Sequence, residues 1–169
     1  WGDGTVANPA SARPPGSMLG PEQRAWFLDS IKASTAPWKI WANALPLMPL
    51  RLDMSSVPFT DYEDSIFNID GWAGYPHEVG ILMRLLETAG IAGVVSLSGD
   101  HHMHGAGTVQ RATTDPQAKP VAADFTVAAI SSSPIFEDLT EAAKEDHPDF
   151  AQLVYREGER GMEPTWNIT

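Results

Sequence analysis

The chain has 169 residues, 43% hydrophobic and 20% charged, which is enough for one domain with a sizeable core. Its formal net charge of −11 argues against a nucleic-acid or anionic-membrane surface, because like charges repel. The absence of cysteine excludes disulfides and thiolate metal ligands. No apolar run is long enough to span a bilayer. No secretion signal opens the sequence, and a start at Trp1 predicts a processed or excised segment.

The first part of the chain predicts an irregular arm followed by a helix and a strand. Residues 1–18 are rich in Gly, Pro, Ala and Ser without periodicity, which is typical of an arm or loop. Pro21 opens a helix predicted over residues 21–33, which carries a one-sided apolar stripe. A strand is predicted over residues 38–45, closed by Pro46. Asn43, near its end, either points into a cleft or hydrogen-bonds its own backbone.

The next stretch, residues 49–74, is acidic and is predicted to be irregular. It ends in a loop that interleaves glycines with aromatic residues, Asp70-Gly71-Trp72-Ala73-Gly74-Tyr75-Pro76. Long loops in compact domains tend to be functional, so Trp72 and Tyr75 either line a cleft or cap the core. A second helix is predicted over residues 77–89, with a glycine stop directly after it.

The stretch from Val94 to Gly105 carries the clearest functional pattern in the sequence. Its apolar start, residues 94–97, lacks alternation and predicts a strand buried on both faces. Gly99 allows a sharp turn, and a carboxylate and three imidazoles follow, those of Asp100, His101, His102 and His104. Polar groups just past such a strand lie at the carboxyl edge of the sheet, where open α/β folds bind ligands. Because Asp and His bind borderline or hard cations, a metal site is favoured over a solvent-exposed polar loop.

The sequence of the last third of the chain predicts two strands, then a partial helix and a final strand. Residues 108–110 and 121–130 flank a turn-rich loop and predict an antiparallel pair. Residues 137–155 predict a partial helix, and residues 163–169 a strand. The cluster Ser131-Ser132-Ser133 suggests a nucleophile, but serines after a strand more often satisfy backbone groups. Helices alternating with strands favour an α/β fold with parallel strands joined by crossovers.

Several separated motifs together resemble the PhoD-like alkaline phosphatase/phosphodiesterase family of the metallophosphoesterases. The resemblance covers nearly the whole chain after Met18, and the order and spacing of the motifs make it specific. The motifs are Met18-Leu19-Gly20-Pro21-Glu22-Gln23 with Trp26, Trp38-Lys39, Asp70-Gly71-Trp72-Ala73-Gly74-Tyr75-Pro76, Leu97-Ser98-Gly99-Asp100-His101-His102, Ala123-Asp124-Phe125, Ile130-Ser131-Ser132-Ser133 and Pro164-Thr165-Trp166-Asn167-Ile168-Thr169.

This resemblance implies a fold and an activity. The implied fold is half of a metallophosphoesterase-type α/β sandwich, a mixed sheet flanked by helices, with residues 19–169 forming the C-terminal part of the catalytic domain. The implied activity is metal-dependent hydrolysis of small phosphomonoesters or phosphodiesters in the periplasm or outside the cell. The implied cofactors are two metal ions, either divalent or iron with calcium or another divalent ion.

The resemblance also assigns roles to particular residues. It makes Asp100 and His102 metal ligands, one for each ion of the pair. It places Trp72 and Tyr75 in an aromatic loop near the cleft and Asn43, by a looser match, on a strand that bears another site residue. A neighbouring histidine, His101 or His104, is expected to protonate the leaving oxygen or to bind phosphate. Asn43, Trp72 and Tyr75 are thus candidates for substrate binding.

The family's earlier strands and their metal ligands are absent from this sequence. A two-metal centre needs more ligands than Asp100 and His102 with one neighbour supply. We therefore expect an N-terminal half or a second polypeptide to complete the domain, with strands that flank residues 94–97 and continue the sheet. Two other classes stay open, a non-enzymatic metal-binding or interaction module and an unrelated single-metal hydrolase.

Overall fold

The computed structural model describes residues 14–53, 64–67, 69–111, 118–128, 130–131 and 165–167. These ranges contain two helices, α1 (Gly20–Ala33) and α2 (Pro76–Thr88), and a 3₁₀ turn at Trp72–Gly74. They also contain seven strands, β1 (Lys39–Ala42), β2 (Leu50–Asp53), β3 (Asp64–Phe67), β4 (Val94–Ser98), β5 (His104–Gln110), β6 (Pro120–Thr126) and β7 (Thr165–Asn167).

Five of the strands form one mixed sheet in the order β1-β4-β6-β5-β7, while β2 and β3 form a separate antiparallel pair. β4 pairs in parallel with β1 on one side and with β6 on the other. β5 is antiparallel to both β6 and β7. β4 is therefore an interior strand whose neighbours both belong to this chain. The prediction that strands from another polypeptide flank it is wrong.

The two faces of this sheet differ in burial, because successive side chains of a strand point to opposite faces. The inner face packs against α2 and contributes the buried side chains of Val94, Ser96, Ser98, Ala122, Asp124 and Thr126. The outer face stays open in the described part of the chain, where Ile40 is 59% exposed, Leu97 44%, Phe125 42% and Val127 57%. The strand over residues 94–97 is thus buried on one face, not on both as predicted.

The buried carboxylate of Glu78 joins the two helices at their N-terminal ends. It lies in the first turn of α2 and accepts the backbone N–H groups of Met18 and Leu19, which precede α1. It also accepts the Ser17 hydroxyl at 2.7 Å and pairs with the Arg24 guanidinium at 3.3 Å. The first N–H groups of a helix have no partner within the helix, so Glu78 supplies an acceptor that α1 lacks.

A second buried carboxylate, that of Asp124 in β6, holds the chain that follows β1. Its Oδ2 accepts the backbone N–H of Leu47 at 2.8 Å and of Met48 at 3.0 Å. Burial raises the pKa of Asp124, because removal from water disfavours the charged form. Three hydrogen-bond donors oppose that rise in pKa by stabilising the carboxylate, and they are the N–H of Met48, the Ser96 hydroxyl and the N–H of Leu47. The segment over residues 46–49 is therefore fixed across the inner face of the sheet.

Most of the predicted elements are present, with shifted ends. Both helices are confirmed with starts one residue earlier than predicted, and the first strand is shorter than predicted, at four residues. The antiparallel pair is confirmed as β5 and β6, and it joins β4 through β6. The α/β class with parallel crossover strands is confirmed by the β1–β4 pairing.

The stretch predicted to be irregular, residues 49–74, contains β2 and β3, so that prediction is partly wrong. The strand predicted over residues 163–169 is present as the shorter β7. The predicted helix over residues 137–155 lies outside the described residues. So do residues 1–13 of the predicted arm, and its boundary at residue 18 stays a prediction.

Asp124→Asn tests the buried carboxylate. The raised pKa means that the folded state holds a proton more tightly than the unfolded state, so Asp124 loses stabilising effect as pH rises above its ordinary value of 3.8. Asparagine does not titrate, and its carbonyl oxygen can accept the same two N–H groups. We expect the free energy of unfolding of Asp124→Asn, relative to wild type, to increase from pH 3.8 towards neutrality in urea titrations. The exposed Asp29→Asn change controls for the lost charge. If the free energies of unfolding of Asp124→Asn and wild type differ by the same amount at every pH, the pKa of Asp124 is not raised by burial.

Candidate metal site at the carboxyl edge of the sheet

The three parallel strands end together and form one edge of the sheet. The N–H of Asn43, just after β1, donates to the carbonyl of Leu97 at 2.9 Å. The N–H of Val127, just after β6, donates to the carbonyl of Ser98 at the same distance. The segment Gly99–Met103 leaves β4 between these two residues. The candidate ligands therefore lie at the carboxyl edge, as the sequence predicts.

The turn that follows β4 has a strained backbone. The N–H of His101 donates to the carbonyl of Gly99 at 2.9 Å, which closes a three-residue turn around Asp100 with φ 72°. A turn of this kind with positive φ is rare. His102 has φ 51°, and no other non-glycine residue has a positive φ in the described ranges. Gly99 does not adopt the left-handed region, so the sharp turn expected there falls on Asp100 instead.

The three histidines of this segment occupy different environments. His101 is 5% exposed, and burial lowers its pKa, while the negative charges of Asp100 and Asp70 act in the opposite direction and His102 lowers it further. His102 is half-buried and His104 is exposed. The backbone N–H of Ala128 donates to Nδ1 of His104 at 3.2 Å, which places the proton of the neutral imidazole on Nε2.

The aromatic loop folds back beside the strand ends. Trp72 is 2% exposed, and its indole Nε1–H donates to Oδ1 of Asn43 at 3.1 Å. Of the two roles left open for Trp72, lining a cleft or capping the core, its burial agrees with the second. Tyr75 is half-buried and lies against Gly16, where an added Cβ would come within 3.1 Å of the ring.

Gly74 is required by a close approach. An added Cβ would lie 1.9 Å from the carbonyl oxygen of Ile69, so the loop cannot close with a larger residue at this position. Together with the 3₁₀ turn at Trp72–Gly74, this contact defines the path of the loop past the site.

The candidate donors are of residue types that bind metal ions in proteins. Asp100 offers a carboxylate and His102 an imidazole, the ligands that borderline and hard cations prefer. Backbone strain of about 1–3 kcal/mol per residue is usually found where function requires a side chain in a particular place. In the ranges described by the structure, no group of three His, Asp or Glu residues is arranged to hold an ion. A metal bound by Asp100 and His102 would therefore need further donors from outside these ranges.

Sequence reasoning brought Asp100, His101, His102 and Asn43 to the right edge of the sheet, and it left one contributor unassigned. Asp70 precedes the aromatic loop, and its charge acts on His101. The signal was available as an acidic residue directly before a Gly-aromatic pair. In the serine cluster, Ser131 is exposed, and Ser132 and Ser133 lie outside the described residues.

Fold and site together define an α/β fragment that presents Asp100 and His102, candidate metal ligands, at the carboxyl edge of a mixed sheet. The family model of the PhoD-like phosphatases matches residues 3–162. The chain belongs to the PhoD-like phosphatase family, which confirms the resemblance found in the sequence.

Two comparisons with known proteins agree with this membership. The chain is 26% identical over 122 residues to alkaline phosphatase D of Bacillus subtilis (strain 168), covering 72% of this chain and 20% of that protein. A solved structure of PhoD superimposes with a TM-score of 0.57 at 22% identity, covering 89% of this chain and 27% of that chain, which shows the fold. The chain thus spans a minor part of the relatives it matches. Neither α1 nor α2 is long and apolar enough to cross a membrane.

Asp100→Gly tests whether the turn is held in a strained conformation. Glycine adopts positive φ freely, which relieves about 1–2 kcal/mol, while its greater freedom in the unfolded chain offsets about 0.4–1 kcal/mol. We expect the free energy of unfolding to be unchanged or to rise by up to about 1 kcal/mol in urea titrations.

Gly99→Ala is the matched control, because its Cβ would meet nothing nearer than the Val127 carbonyl at 3.9 Å and φ is not in the left-handed region. We expect this change to be tolerated. A loss of more than about 1 kcal/mol in Asp100→Gly would show that the Asp100 side chain stabilises the fold and that the turn is not strained.

Proposed function

We propose that this chain forms part of an enzyme that hydrolyses phosphomonoesters or phosphodiesters with the help of two metal ions. The observation that carries the proposal is the coincidence of left-handed backbone with the two expected ligands, Asp100 and His102. Membership in the PhoD-like phosphatase family supports the same activity.

Asp100 and His102 would hold one ion each, and the remaining ligands would come from outside the described residues. Such ions, when bound, neutralise phosphate oxygens and lower the pKa of an attacking water. His104 has its Nδ1 occupied by the Ala128 N–H, so it can offer Nε2–H to a phosphate or leaving-group oxygen. His101 is the other candidate for proton transfer, in a buried position next to Asp100. The identity of the ions, divalent or iron with calcium or another divalent ion, stays a prediction.

The substrate side of the proposal rests on Asn43, Trp72 and Tyr75. All three belong to the strand end and loop beside Asp100, and a small phosphoester is the expected ligand. Their assignment to substrate binding stays a prediction, as does a periplasmic or secreted location.

The open face of the sheet supports a further part of the proposal, which is that additional polypeptide completes the domain. Its exposed side chains, those of Ile40, Leu97, Phe125 and Val127, form an apolar surface that a soluble protein rarely leaves uncovered. The chain covers 20% of the curated relative and 27% of the solved one, so most of a PhoD-like domain lies beyond it. We propose that an N-terminal part of such a domain, on this or a second polypeptide, packs on this face and brings the missing ligands.

Asp100→Ala and His102→Ala test the metal assignment. In the assembly that carries the activity, each should remove or loosen an ion and reduce turnover of p-nitrophenyl phosphate by orders of magnitude, because binding and chemistry share the ion. His104→Ala should have a smaller effect, and Asp29→Ala on the exposed side of α1 should have none. Metal content by mass spectrometry is the second measurement. If metal and turnover both survive Asp100→Ala, the central assignment is wrong.

Phe125→Glu tests the open face. A charge in the middle of an apolar interface is costly to bury, so the variant should lose association with the completing polypeptide or segment and also lose activity. Arg84→Glu, an exposed change on α2, provides the control. Co-purification and sedimentation are the measurements. A monomeric, cooperatively unfolding 169-residue protein that hydrolyses phosphoesters unaided would refute the need for a partner.

A further inference from the structure

The side chains of Asn43 and Trp72 form a buried pair beside the candidate site. The indole Nε1–H of Trp72 donates to Oδ1 of Asn43 at 3.1 Å. An indole nitrogen can only donate, so this contact fixes which end of the carboxamide is the acceptor. The Trp72 ring also packs edge-on against Trp41 of β1, with centroids 5.5 Å apart. Trp72 is therefore held from two directions by β1 and the residue that follows it.

Asn43 connects the loop to the strand that bears Asp100. Its backbone N–H donates to Leu97 of β4, while its side chain accepts from Trp72. Within the described ranges, its buried Nδ2 meets no acceptor. An amide with one end unsatisfied is a worse core residue than leucine of the same size, so packing alone does not account for Asn43. The hydrogen bond to Trp72 is the feature that leucine could not supply.

The loop around Trp72 is rigid on both sides of the indole. Gly71 lies on Leu45, where an added Cβ would meet Cδ1 at 3.6 Å. The N–H of Gly74 donates to the carbonyl of Gly71 at 3.0 Å, and the N–H of Tyr75 to that of Trp72 at 2.9 Å. Asp70 directly precedes this unit in the sequence. The position of the indole therefore sets the position of Tyr75.

We propose that Asn43 and Trp72 are positioning residues, which hold the aromatic loop so that Tyr75 is placed for substrate contact. This inference rests on the proposed phosphoesterase function and gives Asn43 and Trp72 an indirect part in substrate binding. The hydrogen bond between them is the link, so breaking either end has the same consequence.

Trp72→Phe removes the donor together with part of the buried indole, and Asn43→Leu removes the acceptor while keeping the number of side-chain heavy atoms. With p-nitrophenyl phosphate, each single variant should raise KM and lower kcat/KM about tenfold. The double variant should be no worse than the poorer single one, because both partners of one bond are gone. Metal content should stay at the wild-type level. Trp26→Phe, an exposed tryptophan of α1, is the matched control and should change nothing.

Hydrogen exchange, measured on the same variants, reports on the loop without reference to activity. Amide exchange at Gly74 and Tyr75 should speed up in Trp72→Phe and Asn43→Leu and not in Trp26→Phe. If the wild-type assembly hydrolyses no phosphoester, the proposed function fails, while exchange still decides whether the pair holds the loop. Additive kinetic effects, unchanged exchange at these two amides, or an equal increase throughout α2 and β4 would each overturn the inference.

Discussion

The carboxylate of Asp124 is the constraint on which the rest of the candidate site depends. It lies in the interior strand β6 and accepts hydrogen bonds from the N–H groups of Leu47 and Met48. These two residues come shortly after β1 and are far from Asp124 in the sequence. A buried carboxylate without such donors would be very unfavourable, so the two N–H groups stabilise it, and its Oδ2 in turn satisfies both of them. With this segment fixed, the preceding residues Asn43 and Leu45 are placed against the aromatic loop.

Glu78 uses the same chemistry at the other end of the inner face. Its carboxylate accepts backbone N–H groups at the start of α1 while it belongs to the start of α2. In both cases an acidic side chain accepts hydrogen bonds from main-chain N–H groups of a distant segment. A cationic side chain could not do so, because it has no acceptor. In the described part of the chain, the strand ends and the outer face are the surfaces that stay open to ligands and to further chain.

Local patterns in the sequence predict the helices and the place of the Asp-His segment just after β4, because periodicity, proline starts and clustered polar residues are local properties. The hairpin of β2 and β3 escaped prediction, since strands of four residues show little alternation. The insertion of β6 beside β4 is a non-local pairing that no local pattern encodes. The same holds for Asp124, which is one acidic residue in an apolar strand. The sharp turn was expected at Gly99, because glycine permits such a turn most readily, whereas the structure places the left-handed backbone at Asp100.

The strand order β1-β4-β6-β5-β7 also bears on the sequence in which the sheet can assemble. β5 and β6 are consecutive and antiparallel, so their pairing closes a short loop and is kinetically favoured. β1 pairs with β4 only after β2, β3 and α2 have been made, which requires a long-range contact. The turn that carries Asp100 therefore follows a strand whose pairing with β1 depends on a contact between distant parts of the chain. Before that contact forms, the apolar side chains of β1 lack their partners in β4, and unpaired strands of this kind favour aggregation.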